Sequence, residues 1–343
     1  IDKAMYFFMH AANQNDPHAQ FNLGAIYDEG YYVKRDINKA IYYYTLAANQ
    51  NDPEAQFNLG IIYYEGKYIA RDINKAIHYY TLAANQNYAD AQCNIGFIYT
   101  EGKYVTRDIS KAIYFYSLSA NQNNKNAQYN LGLIYYTGQY VARDFKKAIR
   151  YFTLSANQNH ADAQFNLGFI YYEGEYVTRD IYKSIHYYLL AAKQNHSNAQ
   201  SNLGFIYYKG EYVPRDINKS IQYYLLAAKQ NHSDAQFNLG LIFYEGDGIQ
   251  QDIEKGKYYL IQSSKNGNRL ANFMHGFLLH EGKYTKRDIE KAIYYYKESS
   301  SFNNQYAKNN LGIIYKHGYS KNEKNFGSAV EYFEEAIRQK NDY

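Results

Sequence analysis

Apolar residues recur along this chain with the period of an α-helix, in two kinds of segment that alternate. Within residues 54–65, Ala55, Leu59 and Tyr63 follow one another at intervals of four, which places them on one face of a first helix. Within residues 73–84, apolar side chains stand at offsets 0, 3, 4, 7, 10 and 11, the stripe of a second amphipathic helix. The pattern therefore predicts a pair of helices joined by a short loop.

This helical pair is repeated at a fixed interval. The glycine that follows Leu59 has counterparts every 36 residues, at Gly24, Gly60, Gly96, Gly132, Gly168, Gly204, Gly240, Gly276 and Gly312. Unbroken spacing of this kind is typical of a solenoid, in which each unit packs on its neighbours. We therefore predict an all-α fold, an α/α superhelical solenoid of 36-residue helix-turn-helix repeats with nine first helices and ten second helices.

The repeats are expected to fill the whole chain as one domain, because no linker rich in proline, glycine or serine interrupts them. The predicted divisions of the solenoid 1–343 are a partial repeat 1–15, repeats 16–318 and a C-terminal capping helix 319–343. The last segment carries charged residues, as a terminal repeat needs where it meets water. No such cap precedes Ile1, so we expect exposed apolar surface or self-association at that end.

Single residues at fixed places in the period indicate where each helix begins and ends. Gly66 is expected to end a first helix in the left-handed conformation, which glycine adopts at least cost. An aspartate before each second helix is expected to cap it, because its carboxylate accepts from exposed backbone N–H groups. These aspartates are Asp36, Asp72, Asp108, Asp144, Asp180, Asp216, Asp252 and Asp288. The second helices are expected to end in left-handed residues at Asn51, Asn87, Asn123, Asn159, Asn195, Asn231 and Gly267.

The repeat unit resembles that of a known family. Its pattern is Ala-x-x-x-Leu-Gly-x-x-Tyr-x-x-Gly, then Val or Ile, then Asp-x-x-Lys-Ala-x-x-Tyr-x-x-x-Ala. One copy reads Ala55, Leu59, Gly60, Tyr63, Gly66, Ile69, Asp72, Lys75, Ala76, Tyr79 and Ala83. This is similar to the Sel-1-like repeat, a relative of the tetratricopeptide repeat, and the resemblance covers essentially the whole chain.

The resemblance implies a right-handed superhelix whose first helices line a concave surface, acting as an adaptor in signalling, protein quality control or host–microbe contact. We therefore expect a non-catalytic scaffold that binds a protein or peptide on that surface. The alternative is a regulatory arm of a larger signalling protein such as a protein kinase, although no kinase motif occurs in these residues. The chain departs from the family in its interhelix loop, where tyrosine usually replaces the second glycine, at Tyr68, Tyr104, Tyr140, Tyr176 and Tyr212.

Two rows of first-helix side chains are candidates for contact with a partner, because they flank the core positions. An amide can donate to and accept from an extended peptide at once, and tyrosine offers a large contact area with a polar tip. The predicted binding residues are Asn58, Asn130, Asn166, Asn202, Asn238, Tyr64, Tyr136, Tyr172, Tyr208 and Tyr244. The alternative is that the amides bond a neighbouring helix end and the tyrosines only pack. A third, aromatic row that includes Phe57 is expected to seal adjacent first helices.

Charge and composition exclude several function classes. The formal net charge is only +4 over 343 residues, and Lys and Arg alternate with acids, so a nucleic-acid or anionic-membrane footprint is absent. RNA binding by helical repeats is a less favoured alternative, because it needs basic residues where asparagine and tyrosine stand. No run of about 18 apolar residues occurs, so we expect no membrane insertion. One cysteine gives no internal disulfide framework, and a cytoplasmic location is favoured although the compartment stays open.

Reactive side chains indicate neither a metal nor a catalytic site. His160, His196 and His232 occupy one position of successive repeats, about 10 Å apart, whereas ligands of one zinc ion each lie about 2 Å from it. They therefore cannot share a metal. Cys93 stands in the aromatic row and is expected to be a buried, unreactive thiol. No Walker or Gly-x-Gly-x-x-Gly sequence occurs, so we expect no cofactor and no enzymatic activity.

Overall fold

The computed structural model describes residues 2–282, 285–301, 304–318 and 324–341. In these ranges the chain forms nineteen α-helices and no strand. The helices are α1 (Asp2–Asn13), α2 (Pro17–Glu29), α3 (Ile37–Asn49), α4 (Pro53–Glu65), α5 (Ile73–Asn85), α6 (Ala89–Glu101), α7 (Ile109–Asn121), α8 (Lys125–Thr137), α9 (Phe145–Asn157), α10 (Ala161–Glu173), α11 (Ile181–Lys193), α12 (Ser197–Lys209), α13 (Ile217–Ala228), α14 (Ser233–Glu245), α15 (Ile253–Lys265), α16 (Arg269–Glu281), α17 (Ile289–Ser300), α18 (Gln305–His317) and α19 (Phe326–Asn341). The even-numbered helices are the nine predicted first helices and the odd-numbered ones the ten predicted second helices. The all-α repeat architecture is therefore confirmed.

The chain divides into two compact units, Ile1–Leu167 and Gly168–Tyr343, and the boundary falls within α10. Within each unit a helix packs on the helix before it and the helix after it. In the first unit α4 contacts α3 and α5, and in the second unit α14 contacts α13 and α15. Such nearest-neighbour packing is the property of stacked repeats. Of the predicted capping helix 319–343, residues 319–323 and 342–343 lie outside the described residues, and α19 begins at Phe326.

Aspartate side chains cap the second helices as predicted. The Oδ1 atom of Asp72 accepts the backbone N–H of Lys75 at 3.0 Å, and the same bond starts the second helices at all eight predicted aspartates. The ammonium of Lys75 lies 3.8 Å from the other carboxylate oxygen. Asp52 and Pro53 are likewise the cap and first residue of α4. Each cap of this kind stabilises a helix by about 1 kcal/mol.

Left-handed residues end the helices at the predicted positions. Gly66, at the end of α4, has a φ of 61°, and Asn51, after α3, has a φ of 62°. The N–H of Asn51 donates to the carbonyl of Ala48 at 3.0 Å, and the next N–H donates to the carbonyl of Ala47 at 3.1 Å. This is the hydrogen-bond pattern of a Schellman motif, in which asparagine is the tolerated substitute for glycine. All seven predicted second-helix ends have positive φ.

The core is built of alanine, leucine, isoleucine and tyrosine, and each cluster joins two repeats. In the first unit Ala76 and Tyr80 of α5 pack with Ile95 of α6. In the second unit Tyr224 of α13 packs with Leu239 of α14 in the same way. Burial of one large apolar side chain contributes about 1.5 to 3 kcal/mol. The second helix of a repeat thus depends on the first helix of the next repeat for its burial.

Tyrosines in the interhelix loops link neighbouring repeats. The guanidinium of Arg35 donates to the hydroxyl of Tyr68 at 2.5 Å and lies 4.4 Å from its ring centroid. The same pairing joins Arg71 to Tyr104, Arg107 to Tyr140 and Arg179 to Tyr212. Exposed cation–π pairs contribute about 0.5 to 1 kcal/mol each. These four tyrosines, which replace the second loop glycine of the family, therefore bind an arginine of the preceding repeat, a role that the sequence analysis missed.

Candidate functional site

Within the described residues, a pocket opens between consecutive first helices at an equivalent place in each unit. The first-unit pocket, of about 310 Å³, lies between α4 and α6 and is lined by Tyr64 and Asn94 among others. The second-unit pocket, of about 170 Å³, lies between the end of α10 and α12 and is lined by Tyr172 and Asn202. In both pockets the asparagine follows the tyrosine by thirty residues. The two rows picked out from the sequence therefore meet at equivalent places.

The walls of the pockets are aromatic and their depth is set by a buried tyrosine. In the second-unit pocket, Tyr188 of α11 is fully buried, whereas the rings of Phe169 and Phe205 are each 37% exposed. Glu173 adds one carboxylate to the lining and is exposed. The first-unit pocket has Tyr80, Phe97 and Glu65 at the equivalent positions, and Ile61 in place of Phe169. Such a surface offers apolar contact, an amide and a negative charge to a guest side chain.

The asparagine row holds the buried tyrosines. The Nδ2 atom of Asn202 donates to the hydroxyl of Tyr188 at 3.0 Å, and Asn310 donates to Tyr296 at 3.0 Å. Asn58 and Asn94 bond Tyr44 and Tyr80 in the same way. Burial raises the pKa of the Tyr188 hydroxyl, and the bond from Asn202 offsets part of the rise. At these four asparagines the acceptor is the phenol of the preceding second helix, and not a helix end as in the alternative expectation. The amide oxygen is not used in this bond.

Asn166 shows the same preference for a phenol in a repeat that lacks the usual one. Phe152 occupies the buried position of the tyrosine and has no hydroxyl. Asn166 bonds the hydroxyl of Tyr129 instead. A buried or half-buried hydroxyl that lost its partner would cost free energy, which explains why an amide is present at this slot in most repeats.

Asn130 and Asn238 are not used in this way. The hydroxyl of Tyr116 lies 3.4 Å from Oγ1 of Thr100, and its bond is not with Asn130. The hydroxyl of Tyr224 is buried without a hydrogen-bond partner in the part of the chain that the structure describes, although Asn238 stands at the equivalent slot. The predicted asparagines therefore differ in how strongly they are engaged within the fold.

The other three predicted tyrosines, Tyr136, Tyr208 and Tyr244, do not belong to the lining of either pocket. The ring of Tyr136 packs against Phe152, with centroids 6.1 Å apart. The hydroxyl of Tyr208 donates to Oδ2 of Asp247 at 2.8 Å. Tyr244 is half-buried on α14. Of the predicted tyrosines, Tyr64 lines the first-unit pocket and Tyr172 lines the second-unit pocket.

A row of buried glutamines beside the candidate site was missed by the sequence analysis. Nε2 of Gln56 donates to the carbonyl of Ala48 at 3.1 Å, and its Oε1 accepts from Gln86 at 2.9 Å. The buried row comprises Gln20, Gln56, Gln92, Gln128, Gln164, Gln200 and Gln236. The signal was present, because a polar residue follows the first core alanine in each copy. Its two bonds reach a neighbouring helix end and a neighbouring amide, so the row stabilises the stacking of repeats.

A comparison with protein families accounts for the whole repeat array. The model described as the Sel1 repeat matches nine successive segments, 17–52, 53–88, 89–124, 125–160, 161–196, 197–232, 233–268, 269–301 and 305–341. The chain belongs to the Sel1 repeat family. The family resemblance expected from the sequence is therefore confirmed.

Solved structures show the same fold in two bacterial proteins. The crystal structure of c5321, a protective antigen of uropathogenic Escherichia coli with an SLR fold, is 28% identical to this chain and gives a TM-score of 0.87 over 98% of this chain and 72% of that one. The Sel1 repeat protein of Oxalobacter formigenes is 27% identical, with a TM-score of 0.71 over 90% of each chain. No curated protein matches in a sequence comparison.

The histidines of one repeat position in this Sel1 repeat protein cap first helices. Nδ1 of His196 accepts the backbone N–H of Ala199 at 3.2 Å, and Nδ1 of His232 accepts that of Ala235 at 3.2 Å. Burial lowers the pKa of His232, which favours the neutral form that can accept. Among the described residues no group of three or more His, Cys, Asp or Glu is placed to hold a metal ion. No described helix of this Sel1 repeat protein is long and apolar enough to cross a membrane.

Cys93 of this Sel1 repeat protein is expected to resist alkylation while the chain is folded. Its side chain is 7% exposed, and burial raises the pKa of the thiol to about 12, so little reactive thiolate is present at pH 8. Iodoacetamide at pH 8 should leave the intact mass unchanged over several hours and should modify the protein fully once guanidinium unfolds it. A Cys93→Ser variant serves as the unlabelled control. Rapid alkylation with unchanged circular dichroism would contradict the burial.

Proposed function

We propose that this Sel1 repeat protein is a non-catalytic scaffold that binds a protein or peptide on the face formed by its first helices. Sel1 repeat proteins are in general protein-interaction scaffolds, and this chain has their fold. The observation that carries the proposal is the pair of equivalent pockets, each lined by a tyrosine of one repeat and an asparagine of the next. Each recess suits a side chain that a partner presents.

The chemistry of the first-helix face supports peptide binding. The rings of Phe97, Phe169 and Phe205 are each between 37% and 41% exposed, and a partner that covered them would gain their apolar area. The amide of Asn202 keeps its oxygen available after bonding Tyr188, so it can accept from a peptide N–H. Apolar rings with an amide beside them are the usual means by which a groove holds an extended segment.

The test is capture of partners from a lysate of the source cell, followed by titration of each captured protein in purified form. The pocket variant carries Tyr64→Ala and Tyr172→Ala. The matched control carries Tyr42→Ala and Tyr114→Ala, which remove the same side chains from exposed positions of second helices.

We expect the pocket variant to bind its partner at least about tenfold more weakly, because truncated aromatic anchors typically cost more than 1 kcal/mol. The control should bind like the original chain, and circular dichroism should show intact helices in both variants. Equal binding by the original chain and the pocket variant, or loss in the control alone, would move the interaction to the second-helix face.

A further inference from the structure

We propose that the second-unit pocket receives the side chain of a lysine or arginine from a basic segment of the partner protein. This inference rests on the proposed function and adds the chemistry of the occupant. It is drawn from three features of the pocket: its size, its aromatic walls and the carboxylates at its opening.

The size of the second-unit pocket fits one long side chain. Its volume of about 170 Å³ is below the range of about 300 Å³ and more that is usual for pockets holding drug-sized ligands. Four rings belong to its lining, those of Phe169, Tyr172, Phe205 and the buried Tyr188. The methylene stem of lysine or arginine packs well on such rings, and the charged end is attracted by their faces.

The charge at the opening of the pocket favours a cation. Glu173 lines the pocket, and Glu211 lies in the loop after α12. Burial raises the pKa of the Tyr172 hydroxyl, and Glu211 and Glu173 raise it further. Both carboxylates therefore act at the pocket. Neither carboxylate takes part in a salt bridge among the described residues. The nearby Arg179 opposes the two carboxylates at Tyr172, and its guanidinium is held by bonds to the hydroxyl of Tyr212 at 2.6 Å and to a backbone carbonyl.

The chain itself places an ammonium group on this aromatic surface. Nζ of Lys209 lies 5.7 Å from the ring centroid of Phe205. This contact shows that a cation can approach the ring, but it also adds a positive charge that a cationic guest must meet. Removal of the Lys209 charge should therefore preserve or strengthen binding of a cation.

The first-unit pocket provides a natural contrast. Lys103 stands three repeats before Glu211, at the same position of the period. At that pocket burial raises the pKa of Tyr64, Tyr104 and Glu101 add to the rise, and Arg71 and Lys103 oppose it. The two pockets differ at one wall position, where the first has Ile61 and the second has Phe169. They also carry opposite charges in exchanged places near the opening, Glu101 and Lys103 at the first pocket against Lys209 and Glu211 at the second. The contrast therefore tests the placement of the charges, because their sum is the same.

The experiment follows isoleucine methyl groups by NMR in the full chain. Ile206 lines the second-unit pocket and Ile98 lines the first-unit pocket. The probes are capped pentapeptides, Ser-Ala-X-Ala-Ser, in which X is lysine, arginine, norleucine or glutamate. Norleucine keeps the methylene stem of lysine and lacks its ammonium. The lysine and arginine peptides should shift the Ile206 methyl signal saturably, and the norleucine and glutamate peptides should bind at least about fivefold more weakly.

Charge variants separate the proposed electrostatics from simple apolar contact. Glu211→Lys places at this exposed loop position the residue found in the first unit. It should weaken binding of the lysine peptide at Ile206 about fivefold and leave binding of the norleucine peptide unchanged. Lys103→Glu should strengthen binding of the lysine peptide at Ile98. Lys209→Gln should preserve or strengthen binding of the same peptide at Ile206.

The outcomes that overturn the inference differ from those that overturn the proposed function. If norleucine binds at Ile206 as tightly as lysine, or if Glu211→Lys has no effect on the lysine peptide, the cation preference is wrong and peptide binding stands. If no peptide shifts Ile206, the pocket does not receive a side chain of this class. The capture experiment with the Tyr64 and Tyr172 variant decides the proposed function in either case, because it makes no assumption about charge.

Discussion

Replacement of Gly60 by alanine is expected to destabilise the protein by about 2 kcal/mol, because the added methyl group would meet the ring of Tyr80. A Cβ atom at Gly60 would lie 2.5 Å from two ring carbons of Tyr80. The ring cannot withdraw, since it is 1% exposed and its hydroxyl is bonded by Asn94. The gain in helix propensity from alanine, about 1 kcal/mol, offsets only part of the strain. The thermal unfolding temperature should fall by about 4 °C.

A second glycine provides the control for this experiment. At Gly327, near the start of α19, the nearest atom to an added Cβ is Oδ1 of Asn325 at 3.5 Å, which is ordinary contact. Gly327→Ala should therefore leave the unfolding temperature equal or slightly higher. In a Tyr80→Ala background Gly60→Ala should no longer cost stability, and a double-mutant cycle measures this coupling. An unfolding temperature of Gly60→Ala at or above that of the original chain would show that the close approach is not the reason for glycine.

The helix ends were predictable from the sequence because capping is local. Whether Asp72 accepts from the N–H three residues later, or Asn51 takes a left-handed φ, depends on a few adjacent residues. The period then carried the same assignment through every repeat. The spacing of 36 residues also identified Gly60 and its counterparts as fixed positions of the repeat. It could not show that Gly60 lies against a ring of the following helix.

The partners between repeats could not be predicted, because helical periodicity states which face a residue occupies and not what lies opposite. Asn202 was placed on the right face, yet its bond to Tyr188 depends on the distance between two packed helices. The pairing of Arg35 with Tyr68 joins residues 33 apart, a separation that no local rule connects. For the candidate site, the sequence indicated Tyr172 and Asn202, and the structure added the aromatic walls and the second carboxylate.

One repeat places a titratable residue in the core. His275 of α16 occupies the position of Leu59 in the period and is 8% exposed. Its ring stacks on Tyr295 with centroids 4.0 Å apart, and Nδ1 lies 3.3 Å from Oγ of Ser264. Burial, followed by the charges of Lys265 and Lys291, lowers the pKa of His275 to about 4. The folded chain therefore holds this imidazole neutral at pH values where the unfolded chain protonates it.

His275→Leu is expected to make the protein more resistant to mild acid. Because the folded pKa of about 4 lies below the unfolded value of about 6.5, the stability linked to His275 is complete above about pH 6.5 and is lost as the pH falls toward 4. At pH 5 the loss should reach about 1 to 2 kcal/mol. Leucine restores the residue found at Leu59 and cannot protonate, so the fall in unfolding temperature between pH 7 and pH 5 should be smaller in the variant.

His275 is one of several histidines whose lowered pKa makes the folded chain sensitive to acid. Burial also lowers the pKa of His160, His232 and His280, so the variant keeps part of the acid sensitivity. If His275→Leu loses as much stability between pH 7 and pH 5 as the original chain does, the core imidazole is not a cause of the acid sensitivity. His160, His232 and His280 would then be the next residues to replace, since protonation of Nδ1 in His232 removes the acceptor on which its helix cap depends.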